Sequence, residues 1–109
     1  MSKMTIQYLA GFFDGEGSVS LFVDKKSKYK NFKIRIVNTD KYVLDYIEKT
    51  FGGKIYPMKR YNKNHKDKWS WDLNGKAALP LIKSLYPFCI IKKQKLIKYM
   101  KEYNYDINI

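Results

Sequence analysis

Asp14 and Glu16 are the acids of a glycine-punctuated stretch, Tyr-Leu-Ala-Gly-Phe-Phe-Asp-Gly-Glu-Gly-Ser-Val-Ser at positions 8–20. Carboxylate oxygens are the ligands that a hard cation prefers. On spacing alone, however, Glu16 reads as an exposed acid at a helix end. Cys89 and His65 are the single cysteine and single histidine of the chain. An internal disulfide and a Cys/His zinc cluster are therefore excluded, and a metal held by one chain would be held by oxygen. Cys89 reads as a small buried apolar residue, and His65 sits in a polar turn without a visible partner.

The second chemical signal is charge. Lys and Arg number 22 against 10 acids in 109 residues, a formal net charge of +12. Solubility does not require this excess, and it suits a polyanionic partner. Composition that is 45% hydrophobic and 17% aromatic is that of one globular domain, spanning residues 1–109. No apolar run is long enough to cross a membrane and no signal peptide is evident, so an intracellular chain with no membrane partner is expected.

The elements that must position these groups follow from periodicity. Ile6, Leu9, Ala10, Phe12 and Phe13 recur at helical spacing, with Thr5 or Ser2 as the capping hydroxyl. Ala10 and Gly11 leave a patch almost free of side chain, where another helix can approach closely. Alternation then places Ser18, Ser20, Phe22 and Asp24 on one strand face and Val19, Leu21 and Val23 on the core face. After a basic turn, Phe32, Ile34 and Ile36 oppose Lys33 and Arg35, completing a hairpin with one basic face. Residues 25–35 hold six basic side chains and no acid. Asn38 or Thr39 is expected to cap a helix carrying Val43, Leu44, Ile47 and Phe51, which Gly52-Gly53 stops. A second hairpin is read from residues 54–61 and 68–73, with Pro57 marking the first strand as an edge or a bulge. Trp69 and Trp71 are expected to anchor the sheet on its helices. A helix opening at Asn74-Gly75 follows, with Pro80 kinking it or lying in its first turn, and then an amphipathic helix with Ile91, Leu96, Ile97, Met100 and Tyr103.

The order is α+β: helix, hairpin, helix, hairpin, helix, helix, with helices on one face of a four-stranded antiparallel sheet. The uncovered face carries Ser20, Phe22, Lys26, Lys28, Lys33, Arg35, Lys59, Tyr61, Lys68 and Ser70. Each taken singly reads as a solvated side chain. Together they are the basic, hydroxylic and aromatic set with which a β-ribbon reads double-stranded DNA.

Leu9-Ala10-Gly11-Phe12-Phe13-Asp14-Gly15-Glu16-Gly17 resembles the motif that names the LAGLIDADG homing endonucleases. Val37-Asn38-Thr39-Asp40 with Val43-Leu44, then Phe51-Gly52-Gly53, then Tyr86-Pro87-Phe88 with Lys92-Lys93, recur in this order in its single-motif members. The resemblance implies a homodimer meeting through Ile6, Leu9, Ala10, Gly11 and Phe13. Helix ends related by a two-fold axis would bring two Glu16 carboxylates together, a cluster that needs hard divalent cations such as Mg²⁺ or Mn²⁺. It further implies that Glu16 binds metal, that Gly15 offers a carbonyl ligand, and that Asp14 has a structural role. Asn38 matches a residue that orders water near the metals, an assignment as well served by helix capping. Lys92, or Lys93 after a one-residue shift, matches a cation near the scissile phosphates. The activity implied is a metal-dependent double-strand cut at a long, near-palindromic site. The same surface also suits an intron RNA maturase, a cleavage-inactive DNA-binding regulator, or a basic component of an RNA-protein assembly.

Overall fold

The computed structural model describes residues 4–23, 30–58, 66–74 and 77–102. Thr5 starts the first helix, its Oγ1 accepting from the Tyr8 N–H at 3.1 Å. Helix α1 (Ile6–Glu16) turns Leu9, Ala10 and Phe13 into the core. It ends without a loop, because Gly17 both donates its N–H to the Phe13 carbonyl and begins strand β1 (Gly17–Val23). A Cβ at Gly17 would strike the Phe13 ring and lie 2.8 Å from the Phe13 carbonyl oxygen. Glycine is what allows helix and strand to abut, so Glu16 is held rigidly at the junction.

Strand β1 pairs antiparallel with β2 (Lys30–Asn38), and helix α2 (Lys41–Phe51) follows. The cap is Asp40, just past the expected Asn38 or Thr39, and its carboxylate accepts from the Tyr42 N–H at 3.0 Å. Asn38 Oδ1 accepts from the Asp40 N–H at 2.8 Å and so holds the capping residue in place. Helix α2 stops at Gly52 and Gly53, which take φ of 86° and 94°. The Trp71 indole donates to the Gly52 carbonyl at 2.7 Å, clamping this turn to the sheet.

Strands β3 (Lys54–Met58) and β4 (Lys68–Asn74) complete a four-stranded sheet of order β1-β2-β4-β3. The chain crosses to the far edge before returning, so β3 with Pro57 is the edge strand, where a missing N–H does least harm. Helix α3 (Ala78–Leu85) begins later than expected, because Asn74 still belongs to β4, and Pro80 falls in its first turn. A 3₁₀ turn at Tyr86–Phe88 leads to α4 (Lys93–Glu102), which buries Leu96, Ile97 and Met100. Ile91, expected on that buried stripe, precedes the helix and is 74% exposed.

The architecture is thus α+β, with the helices on one side of an open antiparallel sheet. Val19, Phe32, Ile34, Ile36, Trp71 and Leu73 point from the sheet into a core shared with Leu9, Phe13, Leu44, Ile47, Ile82 and Leu96. Period-two alternation sends the intervening residues to the other face. Trp71 is fully buried and Trp69 packs against the core, so both tryptophans serve the sheet as expected. No helix among the described residues is long and apolar enough to cross a membrane.

Candidate active site and nucleic-acid interface

The acids of the α1 end differ sharply in their surroundings. Asp14 is 8% exposed, and its carboxylate accepts from the N–H groups of Ile90 at 2.8 Å, Ile91 at 2.9 Å and Lys92 at 2.8 Å. Burial pushes its pKa up, but these bonds and the Lys92 charge together outweigh burial and hold it below the ordinary value. Both oxygens are thereby engaged, and Asp14 anchors the segment that carries Lys92. Glu16 is exposed and takes part in none of the ion pairs among the described residues.

The Lys92 ammonium donates to the Asp14 carbonyl at 2.6 Å and lies 5.8 Å from the Phe13 ring centroid. A cation at the carbonyl end of a helix is favourably placed. Lys93 instead begins α4, so Lys92 is the lysine seated at the acid-bearing end of α1. Cys89 lies beneath, its thiol within 3.7 Å of the Ala10 carbonyl and 3.6 Å of the Leu85 carbonyl. Burial, with Asp14 nearby, pushes that thiol up to about 11, which makes it chemically quiet. Asn38 lies two residues beyond the Gly17–Ile36 pair, and its side-chain oxygen is engaged at the start of α2.

The exposed face of α1 differs from the residue set expected to meet a second copy. Leu9, Ala10 and Phe13 are 0% exposed in the single chain and form its own core, and Ile6 is half-buried against them. Outward instead lie Gly11 and Gly15, one helical turn apart, where an added Cβ would meet nothing within 4 Å. Tyr8, 56% exposed, continues the same face. The side-chain-free patch is therefore Gly11 with Gly15, not Ala10 with Gly11.

Strand register sets the open sheet face in rows. Ser20, Lys33 and Asn74 share one row, and Ser18, Arg35, Asp72 and Lys54 the next. Val37, Ser70 and Tyr56 form a third, followed by Lys68 with Met58. Ser20, Lys33, Arg35 and Lys68 are therefore where alternation put them. Ser70 faces the same way but is only 3% exposed, closed in by its neighbours, so it offers a partner almost no surface. Arg35 does not extend freely: its Nε and Nη2 donate to the two Asp72 oxygens at 2.9 Å each, and this bond keeps its pKa raised. Lys26, Lys28, Lys59, Tyr61 and His65 lie outside the described residues, as does the side chain of Phe22.

Lys54, Tyr56, Asp72 and Asn74 also belong to this face, and sequence reasoning passed over them. The signal was available, since Ile55, Trp71 and Leu73 turn inward and their neighbours must turn outward. A groove of about 710 Å³ runs between Lys33, Arg35, Lys54, Tyr56, Asp72 and Asn74. Its walls carry cations, hydroxyl and amide groups suited to phosphates and base edges.

Among the described residues, no group of three or more His, Cys, Asp or Glu side chains could hold a metal ion. The free donors at the α1 end are the Glu16 carboxylate and the last-turn backbone around exposed Gly15. This oxygen-only set is of the kind that a hard divalent cation takes.

The family model described as LAGLIDADG endonuclease matches residues 9–104. Among solved structures, an archaeal intron-encoded homing endonuclease, I-Vdi141I, complexed with DNA, has 23% identity and a TM-score of 0.70, covering 91% of this chain and 66% of its own. The homing endonuclease I-TnaI has 23% identity and a TM-score of 0.69, with 94% and 74% covered. The LAGLIDADG meganuclease I-AabMI, bound to uncleaved DNA, has 21% identity and a TM-score of 0.70 over 93% of this chain and 36% of that one. These likenesses share the fold, and the chain spans about two-thirds of the first and about a third of the last. No curated protein sequence matches. With its model match running from the first residue of the nine-residue motif to just past the end of α4, the chain belongs to the LAGLIDADG endonuclease family.

Proposed function

We propose that this chain is a site-specific endonuclease that cuts double-stranded DNA as a homodimer, using Mg²⁺ or Mn²⁺ held by Glu16. The observation that carries the reading is the division between the acids: Asp14 is saturated by three backbone N–H groups, while Glu16 stands exposed at the end of the same helix, whose Asp14 carbonyl the Lys92 ammonium binds. A saturated carboxylate is structural, and a free one at a rigid helix–strand junction is available for chemistry.

One chain supplies half of the donor set, and a second copy meeting it at Gly11 and Gly15 supplies the other half. When bound, a divalent cation stabilises charge on phosphate oxygens and acidifies a water. Glu16 and the Gly15 carbonyl would hold that cation, with the carboxylate offsetting its charge. Lys92 places a second positive charge beside the scissile phosphate, and its hydrogen bond to the Asp14 carbonyl fixes its direction. The open sheet face holds the duplex through lysine contacts to phosphates, with polar groups directed at base edges.

Glu16→Gln tests this. The amide keeps the shape and removes the charge that retains the cation. DNA affinity should stay within about tenfold of the parent, about 1.4 kcal/mol, while cleavage falls by orders of magnitude with either metal. Undiminished cleavage by Glu16→Gln would remove Glu16 from the active site.

A further inference from the structure

Asp72 is out of character with its surroundings. Among the described strand residues of the open face it is the one acid, set between Arg35 and Lys54 with Lys33 in the adjacent row. An acid there repels phosphate, so if this face meets nucleic acid its presence requires a reason. Its carboxylate takes the Nε and Nη2 donors of Arg35, both at 2.9 Å, with side chains 11% exposed for Asp72 and 38% for Arg35. The acid is the buttress and the guanidinium is what it presents.

The geometry of the bond decides what is left to present. A guanidinium carries five N–H groups on a rigid plane. The carboxylate occupies the edge formed by Nε and Nη2, and the edge formed by Nη1 and Nη2 remains, with two parallel donors aimed away from Asp72. That is the fork that pairs with the O6 and N7 acceptors of guanine in the major groove. An arginine held at a carboxylate also loses less rotamer entropy on binding than a free one. The pair is neutral overall and adds little to unspecific attraction for phosphates.

We infer that Asp72 is a specificity-determining positioning residue: it fixes Arg35 so that its outer edge reads one base, guanine, at a symmetric pair of positions in the DNA site. This rests on the reading of the sheet as a DNA-binding face. A plain cross-strand tie between β2 and β4 would also explain the bond, and it predicts a different outcome when Asp72 is changed.

The experiment is selection from a randomised duplex pool by the full chain, comparing the parent with Arg35→Ala, Asp72→Ala and the double variant, with thermal unfolding of each. Asp72→Asn, close to isosteric, serves in place of Asp72→Ala if the latter fails to fold. The parent should enrich guanine at one symmetric pair of positions. Arg35→Ala should lose that preference, by about tenfold or more for a good bidentate contact. Asp72→Ala should lose it at the same positions while leaving the others intact, and the double variant should lose no more. Affinity for random duplex should rise in Asp72→Ala, as an acid leaves a basic face. The inference is overturned if the Asp72 variant keeps the Arg35-sensitive preference, or if it weakens every position evenly along with its unfolding temperature. It is overturned also if Arg35→Ala changes no position. A parent that enriches no sequence overturns the DNA reading itself, and this inference with it, and is recognised before any variant is compared.

Discussion

Asp14 shows what a single residue can settle in this fold. Its carboxylate receives three N–H groups from positions 90–92, and the next side chain in that segment, Lys92, returns to the Asp14 carbonyl. One acid thus ties the end of α1 to the segment that leads into α4 and fixes where the site lysine lies. Asp14→Asn would place an amide N–H₂ among N–H donors, so it should cost about 1.5–3 kcal/mol, as for lost hydrogen bonds to a charged group. The pH dependence has a definite sign. The carboxyl sits below its ordinary value of 3.8 when folded, so its contribution is fully present above 3.8 and is lost as pH falls through the folded value. Chemical unfolding of parent and variant at neutral and strongly acid pH checks this, and the gap between them should close in acid. A gap that is unchanged in acid would mean the carboxylate charge contributes nothing. The structural role of Asp14 was legible from the motif resemblance. Its partners were not, because they lie more than seventy residues away and are backbone groups, which no side-chain pattern records.

At the scale of elements, the strand faces and helix stripes were legible because burial follows period two and period 3.6. Val19, Ile34, Ile36, Leu44 and Ile47 are where alternation and helical spacing put them. What periodicity does not encode is the order of strands. Nothing in β4 says that it lies between β2 and β3, and hence that Asp72 stands opposite Arg35. The same limit hid which face of α1 stays exposed, since Leu9, Ala10 and Phe13 share a stripe whose use in one chain or between two is a tertiary fact. The glycine stop after α2 was legible as a helix end, but its clamp on Trp71 was not. Gly53 has φ of 94°, and a Cβ there would lie 2.5 Å from the Trp71 indole nitrogen and 2.9 Å from the Asp72 carbonyl. Gly53→Ala should therefore cost about 1–3 kcal/mol from backbone strain alone, with more from the collision. Its fingerprint should be a change in Trp71 fluorescence alongside a lowered unfolding temperature. Parent-like stability and fluorescence in Gly53→Ala would contradict the clamp.

At the scale of the molecule, the chain has one Glu16 and, among the described residues, no cluster able to hold a metal alone. The proposed shared site then depends on how copies meet, and the helix face with Gly11 and Gly15 has room for close approach. Gly11→Leu separates association from folding. An added Cβ at position 11 meets nothing within 4 Å in the single chain, and leucine favours helix over glycine by roughly 0.5–1 kcal/mol. The folded chain should therefore be as stable as the parent or slightly more so. Across a two-fold axis the same side chain meets its own copy, wedging the helices apart by several ångströms. Sedimentation should show a dimer for the parent and a monomer for Gly11→Leu. DNA cleavage should disappear while the unfolding temperature, at a concentration where both are monomeric, holds or rises. Gly17→Ala supplies the contrast, because its Cβ strikes the chain's own Phe13, and it should lower stability whether or not a partner is present. If Gly11→Leu sediments as a dimer and still cuts, the copies meet elsewhere, and the pairing of Glu16 carboxylates loses its geometric basis.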